Sequence, residues 1–430
     1  MDSASSASPG CPVDIITNDA LIIIFSFLTL YERLMVMRVN KRFHRILSNP
    51  QAWTHIDFWQ EQEMRYCTWM FPKKEKAVLD FLKRYTSGSL KSIYLHVTSE
   101  KIRSHLQQTC GNLETISFLS ANGKEHAVFD SEYTDSRLPH YHDCIILPVA
   151  DSVRVYEIPL EGFDCYKCSH IQPAIQKSLM LRLGKCKNLR RLTITGIKAF
   201  FVTPEGWDAL SQEITELNFL IKHIRSNTNS REICRALVAL LKLTKVSSFR
   251  LNIETRGDGF NIDEFLCGIA EKWQDLTRLT LTGIHQPSSE ISALVISALT
   301  QLQELELSGK MITDENMALI ATHLKKLTSL KLTDGYYTAS GIRDLYGHPS
   351  IERLYLVQEK DYSTNDEYVS AVYDVILSLP KIVYVQFTGY DVAERRNWKH
   401  IEEISPNVRI EVSQNRNYWS DWEPEPVWGF

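Results

Sequence analysis

The chain has 430 residues and a formal net charge of −4 at pH 7. The length suits a small domain plus a large one, or a repeat array, better than one compact core. The near-neutral charge gives no reason to expect a nucleic-acid or membrane partner, and the longest apolar run, Ala20 to Phe25, falls far short of the ~20 residues a membrane-spanning helix needs.

The opening MDSASSASPG has neither the basic start nor the apolar core of a signal peptide, and residues 1–12 read as disordered. The nine cysteines are then most simply free thiols in a reducing compartment, cytosol or nucleus.

Thr17-Asn18-Asp19 is a good cap for a helix starting near Ala20. Leu21, Ile24, Phe25 and Leu28 recur at helical spacing, and Ile22, Ile23 and Phe27 make that helix apolar nearly all round. Thr29 and Glu32 form a capping box for a second helix, Leu30 to Met37. Val39-Asn40-Lys41-Arg42-Phe43 opens a third, running to about Leu47. Asn49-Pro50-Gln51-Ala52-Trp53 then restarts one turn, with Pro tolerated early in a helix. Such a trio cannot bury its own apolar surface and needs a partner. An ordinary terminal cap for a repeat array is the competing reading, but a cap should have a polar outer face.

The order Ile24-Phe25-Ser26-Phe27-Leu28, a short helix, Val39-Asn40-Lys41-Arg42-Phe43, then Pro50-x-x-Trp53-x-x-Ile56-Asp57-Phe58 resembles an F-box. Ile16-Thr17 stands where that family usually has Leu-Pro. The resemblance implies a docking site for a Skp-family adaptor, with Leu21, Ile24, Phe25, Leu28, Leu34 and Val39 bearing on the adaptor or holding the helices.

From Leu90 onward a pattern L-x-x-L-x-L returns, with other aliphatic and aromatic residues allowed, as in Leu90/Ile93/Leu95, Val153/Tyr156/Ile158 and Leu189/Leu192/Ile194. From Leu276 the first leucines step by 26, 25 and 24 residues (302−276, 327−302, 351−327), inside the ~20–29 residue period of leucine-rich repeats. Alternation puts the leucines on one face of a strand, and stacking buries them between neighbours. Amphipathic helices follow, such as Asp314 to Ile320 and Ile291 to Leu299. The segment from Leu302, with Ser-Gly after its strand, resembles the longer repeats of F-box proteins, with Ile197, Ile284 and Lys310 where a buried Asn or Cys often stands.

The expected fold is therefore α/β: a three-helix F-box over 13–58, a helical linker over 59–88, then a right-handed leucine-rich-repeat solenoid over 89–412 with a concave parallel sheet and insertions at 119–188. The concave face should carry Thr193, Asn218, Arg250, Thr280, Glu306, Lys331, Tyr355 and Gln386. This stripe is mixed and polar without a single-sign field, which argues for a protein or peptide and against a nucleic-acid track. That loops or the C-terminus bind the target instead is an equal alternative.

The insertion holds Cys144, Cys165, Cys168 and His170, an inventory that could ligate zinc, but with a single Cys-x-x-Cys pair. Surface histidines and half-buried thiols are the preferred reading, so no metal, cofactor or catalytic residue is assigned. The tail over 413–430 contains Trp419, Trp422 and Trp428 among acids and two prolines, and capping of the last repeat is preferred to docking on a partner.

Taken together, the chain resembles an F-box protein with leucine-rich repeats. The resemblance implies a non-catalytic substrate-receptor subunit of an SCF-type cullin-RING ubiquitin ligase, located in cytoplasm or nucleus. A scaffold that holds the adaptor but recruits no cullin is the alternative.

Overall fold

The computed structural model describes residues 15–58, 72–86, 88–96, 100–119, 152–159, 181, 183–198, 204–224, 227–255, 262–284, 289–357, 366–388 and 407–413. The chain divides into two units. The first comprises 1–196 with 209–214, and the second comprises 197–208 with 215–430.

The first unit opens with α1 (Asn18–Ser26), α2 (Leu30–Val36), α3 (Lys41–Leu47) and a 3-10 turn (Pro50–Trp53). Each start is fixed locally. Thr17 Oγ1 accepts from the Ala20 amide, Thr29 and Glu32 close the expected capping box, and Asn40 accepts from the Phe43 amide. Next come β1 (His55–Asp57), α4 (Pro72–Tyr85), β2 (Ser92–His96), α5 (Glu100–Thr109), β3 (Thr115–Leu119), β4 (Val155–Pro159) and β5 (Arg191–Lys198). Each strand pairs parallel with the next, so Ile56 aligns with Ile93, Ile93 with Ile116, Ile116 with Tyr156 and Tyr156 with Leu192.

The strand series thus begins at His55, inside the segment read as F-box. Trp53, Ile56 and Phe58 have the L-x-x-L-x-L spacing and are all buried. Helix α4, expected as a linker, lies between two paired strands and buries Val78 and Leu82, as a repeat helix does. Its Phe81 meets the Trp53 ring edge-on at 5.0 Å between centroids.

The second unit contains α6 (Pro204–Asp208), β6 (Glu216–Ile224), α7 (Asn227–Leu240), β7 (Ser248–Thr255), α8 (Asp263–Lys272), β8 (Arg278–Thr282), α9 (Ser289–Ala298) and β9 (Glu304–Ser308). It continues with α10 (Asp314–His323), β10 (Ser329–Thr333), α11 (Ala339–Asp344), β11 (Arg353–Val357), α12 (Asp366–Ser378), β12 (Tyr384–Thr388) and β13 (Arg409–Ser413). These strands also pair parallel in chain order and in phase, so Phe249, Leu279, Leu305, Leu330, Leu354, Val385 and Ile410 form one row.

The leucines face inward and the alternating positions outward, as period two requires. From β6 to β11 the carbonyl before each strand accepts two successive amides of the next repeat, as Thr277 does from Gln303 and Glu304 at 2.7 and 3.0 Å. Gly283 follows β8 with φ +72, where a Cβ would lie 1.8 Å from the Ile253 carbonyl oxygen, so only glycine permits this approach of neighbouring repeats. After β9, Lys310 is exposed and Met311 is buried, whereas Ile284 is buried after β8. The slot expected at Lys310 is therefore filled by the next residue, because the 3-10 turn Gly309–Met311 turns the lysine outward.

Candidate functional site

The F-box residues separate into three classes. Leu21 and Phe25 are buried, and Phe25 meets the Phe43 ring edge-on at 5.2 Å. They hold the helices together and offer no surface. Leu28 and Leu34 are half-buried. Ile24 and Val39 are exposed, at 47% and 67%. Exposed beside them are Ile23, Phe27, Tyr31 and Met35, with Phe27 at 79%, and Ile15 ahead of α1. Ile23 and Phe27 stand four residues apart, as do Tyr31 and Met35, so each pair shares a helical face. More than half of the exposed large apolar side chains among the described residues fall between Ile15 and Val39. A concentration of this kind marks a protein-docking surface rather than ordinary scatter.

This face is held rigidly from behind by Arg33, which is 7% exposed. Its guanidinium donates to the carbonyls of Ser26 (2.8 Å), Leu28 (2.9 Å), Ala52 (3.3 Å) and His55 (3.2 Å). Burial lowers the pKa of Arg33, but a guanidinium starts so high that it stays charged. The end of α1, helix α2 and the start of β1 are thus tied at one group. Arg42 likewise ties α3 to the entry of α1 through Asn18 Oδ1 at 3.0 Å and the Ile16 carbonyl.

Residues 18–59 match the family model described as F-box-like. The chain carries an F-box-like domain followed by leucine-rich repeats. It is 25% identical over 276 residues to F-box/LRR-repeat protein 12 of Mus musculus, spanning 62% of this chain and 78% of that protein. The same-named protein of Homo sapiens is 21% identical over 322 residues, spanning 69% and 79%. Among solved structures, a Rad7 and Elc1 complex in yeast aligns with TM-score 0.40 and 11% identity over 91% of this chain and 92% of that chain.

The second surface of the F-box/repeat chain is the outward face of the sheet. In the second unit, Arg250, Thr280, Glu306, Lys331, Tyr355 and Gln386 fall in one cross-strand row by register. Arg250 is exposed and the others are half-exposed. Asn218 precedes them in the row and Glu411 follows. Thr193 lies half-exposed on β5 in the first unit.

A parallel row two residues earlier was not anticipated: Glu216, Ser248, Arg278, Glu304, Ser329, Arg353, Tyr384 and Arg409. Its Glu-Ser-Arg succession recurs, and the small serine lets the flanking charges meet across two strands. Arg278 reaches Glu216 at 3.7 Å and Arg353 reaches Glu304 at 3.4 Å. In the first row, Lys331 pairs with Glu306 at 2.8 Å. Near the last repeat, Tyr355 and Tyr384 pack at 5.2 Å between centroids, and the Tyr384 hydroxyl donates to Glu411 at 2.7 Å. Burial, reinforced by that acceptor, raises the Tyr384 pKa, so it remains a neutral donor.

Cys144, Cys165, Cys168, His170 and the tail from Asn417 lie outside the described residues. Among the described residues no cluster of His, Cys, Asp or Glu could hold a metal, and no helix is long and apolar enough to cross a membrane.

Proposed function

We propose that the chain is the substrate-recognition subunit of an SCF-type ubiquitin ligase, with no catalytic residue of its own. The F-box would bind a Skp-family adaptor and, through it, a cullin-RING ligase, while the repeats hold a target protein. Catalysis would be by proximity, because a tethered target presents its lysines at raised effective concentration to a charged conjugating enzyme.

The observation that carries this reading is the exposed apolar face of α1, α2 and the turns that follow them, with Ile24, Phe27, Tyr31 and Val39 in water while Leu21 and Phe25 are buried behind them. A face of that composition on an F-box-like domain is costly in a free monomer and is stabilised by a partner. The mixed, pair-neutralised sheet face supports a protein target over a polyanion.

The test is affinity purification of the full chain from cells with the ligase blocked. Recovery of adaptor and cullin together supports the receptor. Recovery of adaptor without cullin, in the same preparation where another F-box protein brings cullin down, selects the alternative scaffold.

A further inference from the structure

On the sheet face of the second unit, four cationic side chains have an acidic partner. Arg278, Lys331, Arg353 and Arg409 are joined to Glu216, Glu306, Glu304 and Glu411. The fifth, Arg250, is exposed and has no acidic partner among the described residues. It stands at the middle of β7, between Asn218 on β6 and Thr280 on β8 in register. Along its own strand the same face carries Ser248 and Asn252, both half-exposed. Strands lie ~4.8 Å apart and same-face residues about twice the ~3.3 Å rise, so Asn218, Ser248 and Asn252 surround the guanidinium within reach of one bound anion, while the Thr280 hydroxyl donates to Glu306 at 3.4 Å. Diagonally beside it, on β8, the Thr282 hydroxyl is buried with no hydrogen-bond partner.

We propose that Arg250 and its ring of amide and hydroxyl neighbours form a subsite for one carboxylate side chain of an extended acidic segment in a protein target. The inference rests on the receptor reading above and names the chemistry of its target. Charge stoichiometry selects the ligand. The subsite offers one free positive charge, and the nearest other cation on the face, Arg278, is held by Glu216. A single carboxylate matches that charge and can accept two hydrogen bonds from the planar guanidinium. A dianionic phosphate would leave a charge uncompensated near Glu216 and Glu306. A nucleic-acid strand would need a succession of free cations, and the other cations described on this face are paired.

The experiment uses the purified full chain and random-sequence peptides displayed on phage, selected in parallel against wild type, Arg250→Ala and Arg250→Glu. Arg250 is exposed, so both variants should melt with wild type. Wild type should enrich Asp or Glu at one fixed position, and Arg250→Glu should replace it with Lys or Arg at that position. Arg250→Ala should weaken the best wild-type peptide by about tenfold or more, the loss that follows removal of a charge-assisted hydrogen bond. Peptides with no fixed acidic position, or the same peptides from wild type and Arg250→Glu, overturn the subsite while leaving adaptor and cullin recruitment untouched. Selection of no peptide by wild type overturns it too, as does retention of single-stranded polyuridylate that Arg250→Glu abolishes. Failure of the receptor reading shows separately, as loss of cullin from the purified complex.

Discussion

The guanidinium of Arg33 lies over the indole of Trp53, 5.7 Å from the ring centroid. Trp53 itself donates from Nε1 to the Leu47 carbonyl at 2.6 Å, closing α3 onto the 3-10 turn. The cation, the ring and four backbone carbonyls make the joint between the apolar helices and the first repeat strand. Arg33→Ala should destabilise the domain by about 2–4 kcal/mol, at about 1 kcal/mol for each lost hydrogen bond. Arg33→Lys should recover only part of this, because an ammonium cannot reproduce the planar fork. Thermal denaturation of the three proteins measures it, and equal melting temperatures for wild type and Arg33→Ala would refute the joint.

The buried aromatic of α1 and the exposed one that caps its end should respond in opposite ways. Phe27→Glu changes a side chain that is 79% exposed, so stability should hold to within about 0.5 kcal/mol while adaptor pull-down is lost. Phe25→Ala removes a buried ring packed on Phe43 and should cost about 3–5 kcal/mol, weakening adaptor capture only through loss of fold. Adaptor capture that survives Phe27→Glu would place the docking face elsewhere.

Gly283 offers a sharper probe of the stacking. Its positive φ and its approach to the Ile253 carbonyl leave no space for a methyl group. Gly283→Ala should destabilise the second unit by at least about 2 kcal/mol, combining left-handed backbone strain with a clash against main chain that cannot swing aside. Gly88 is the control, since it also has positive φ but meets nothing within 4 Å. Gly88→Ala should therefore cost about 1–2 kcal/mol, the strain alone. Denaturant midpoints that do not separate the two glycines would show that the close approach is unimportant.

The repeat strands were legible because buried leucines at period two leave a pattern that depends on local spacing alone, and the caps at Thr17, Thr29 and Asn40 bond within three residues. Four features were not legible. Trp53, Ile56 and Phe58 share the repeat spacing, but with aromatics at both ends they read as the close of a helical domain. Arg33 looks like a solvated helix residue, since its partners are backbone carbonyls that leave no trace in side-chain pattern. Helix α1 and its C-cap are apolar nearly all round, so periodicity could not tell buried Phe25 from exposed Phe27. The Glu-Ser-Arg row depends on strands two apart, and register across that distance comes only from the stacked fold.

His348 should make the second unit sensitive to acid. The side chain is 3% exposed after α11, neither ring nitrogen makes a hydrogen bond of normal geometry, and the nearby Leu324 backbone offsets only part of the effect of burial. Burial, with Lys325 nearby, lowers its pKa to about 4 from the ordinary 6.5. The folded state therefore favours the neutral ring, and protonation favours the unfolded chain. This contribution is fully present above pH ~6.5 and is lost as pH falls toward about 4. The span from 6.5 to about 4 corresponds to about 3 kcal/mol, of which about 2 kcal/mol is lost by pH ~5. His348→Leu keeps the site apolar and removes the titrating group, so its stability should fall less between pH ~7 and ~5 by about that amount. Urea unfolding of both proteins at the two pH values measures the difference, in which the titration of every other group cancels. Parallel losses in the two proteins would mean that His348 is hydrated or partnered in solution.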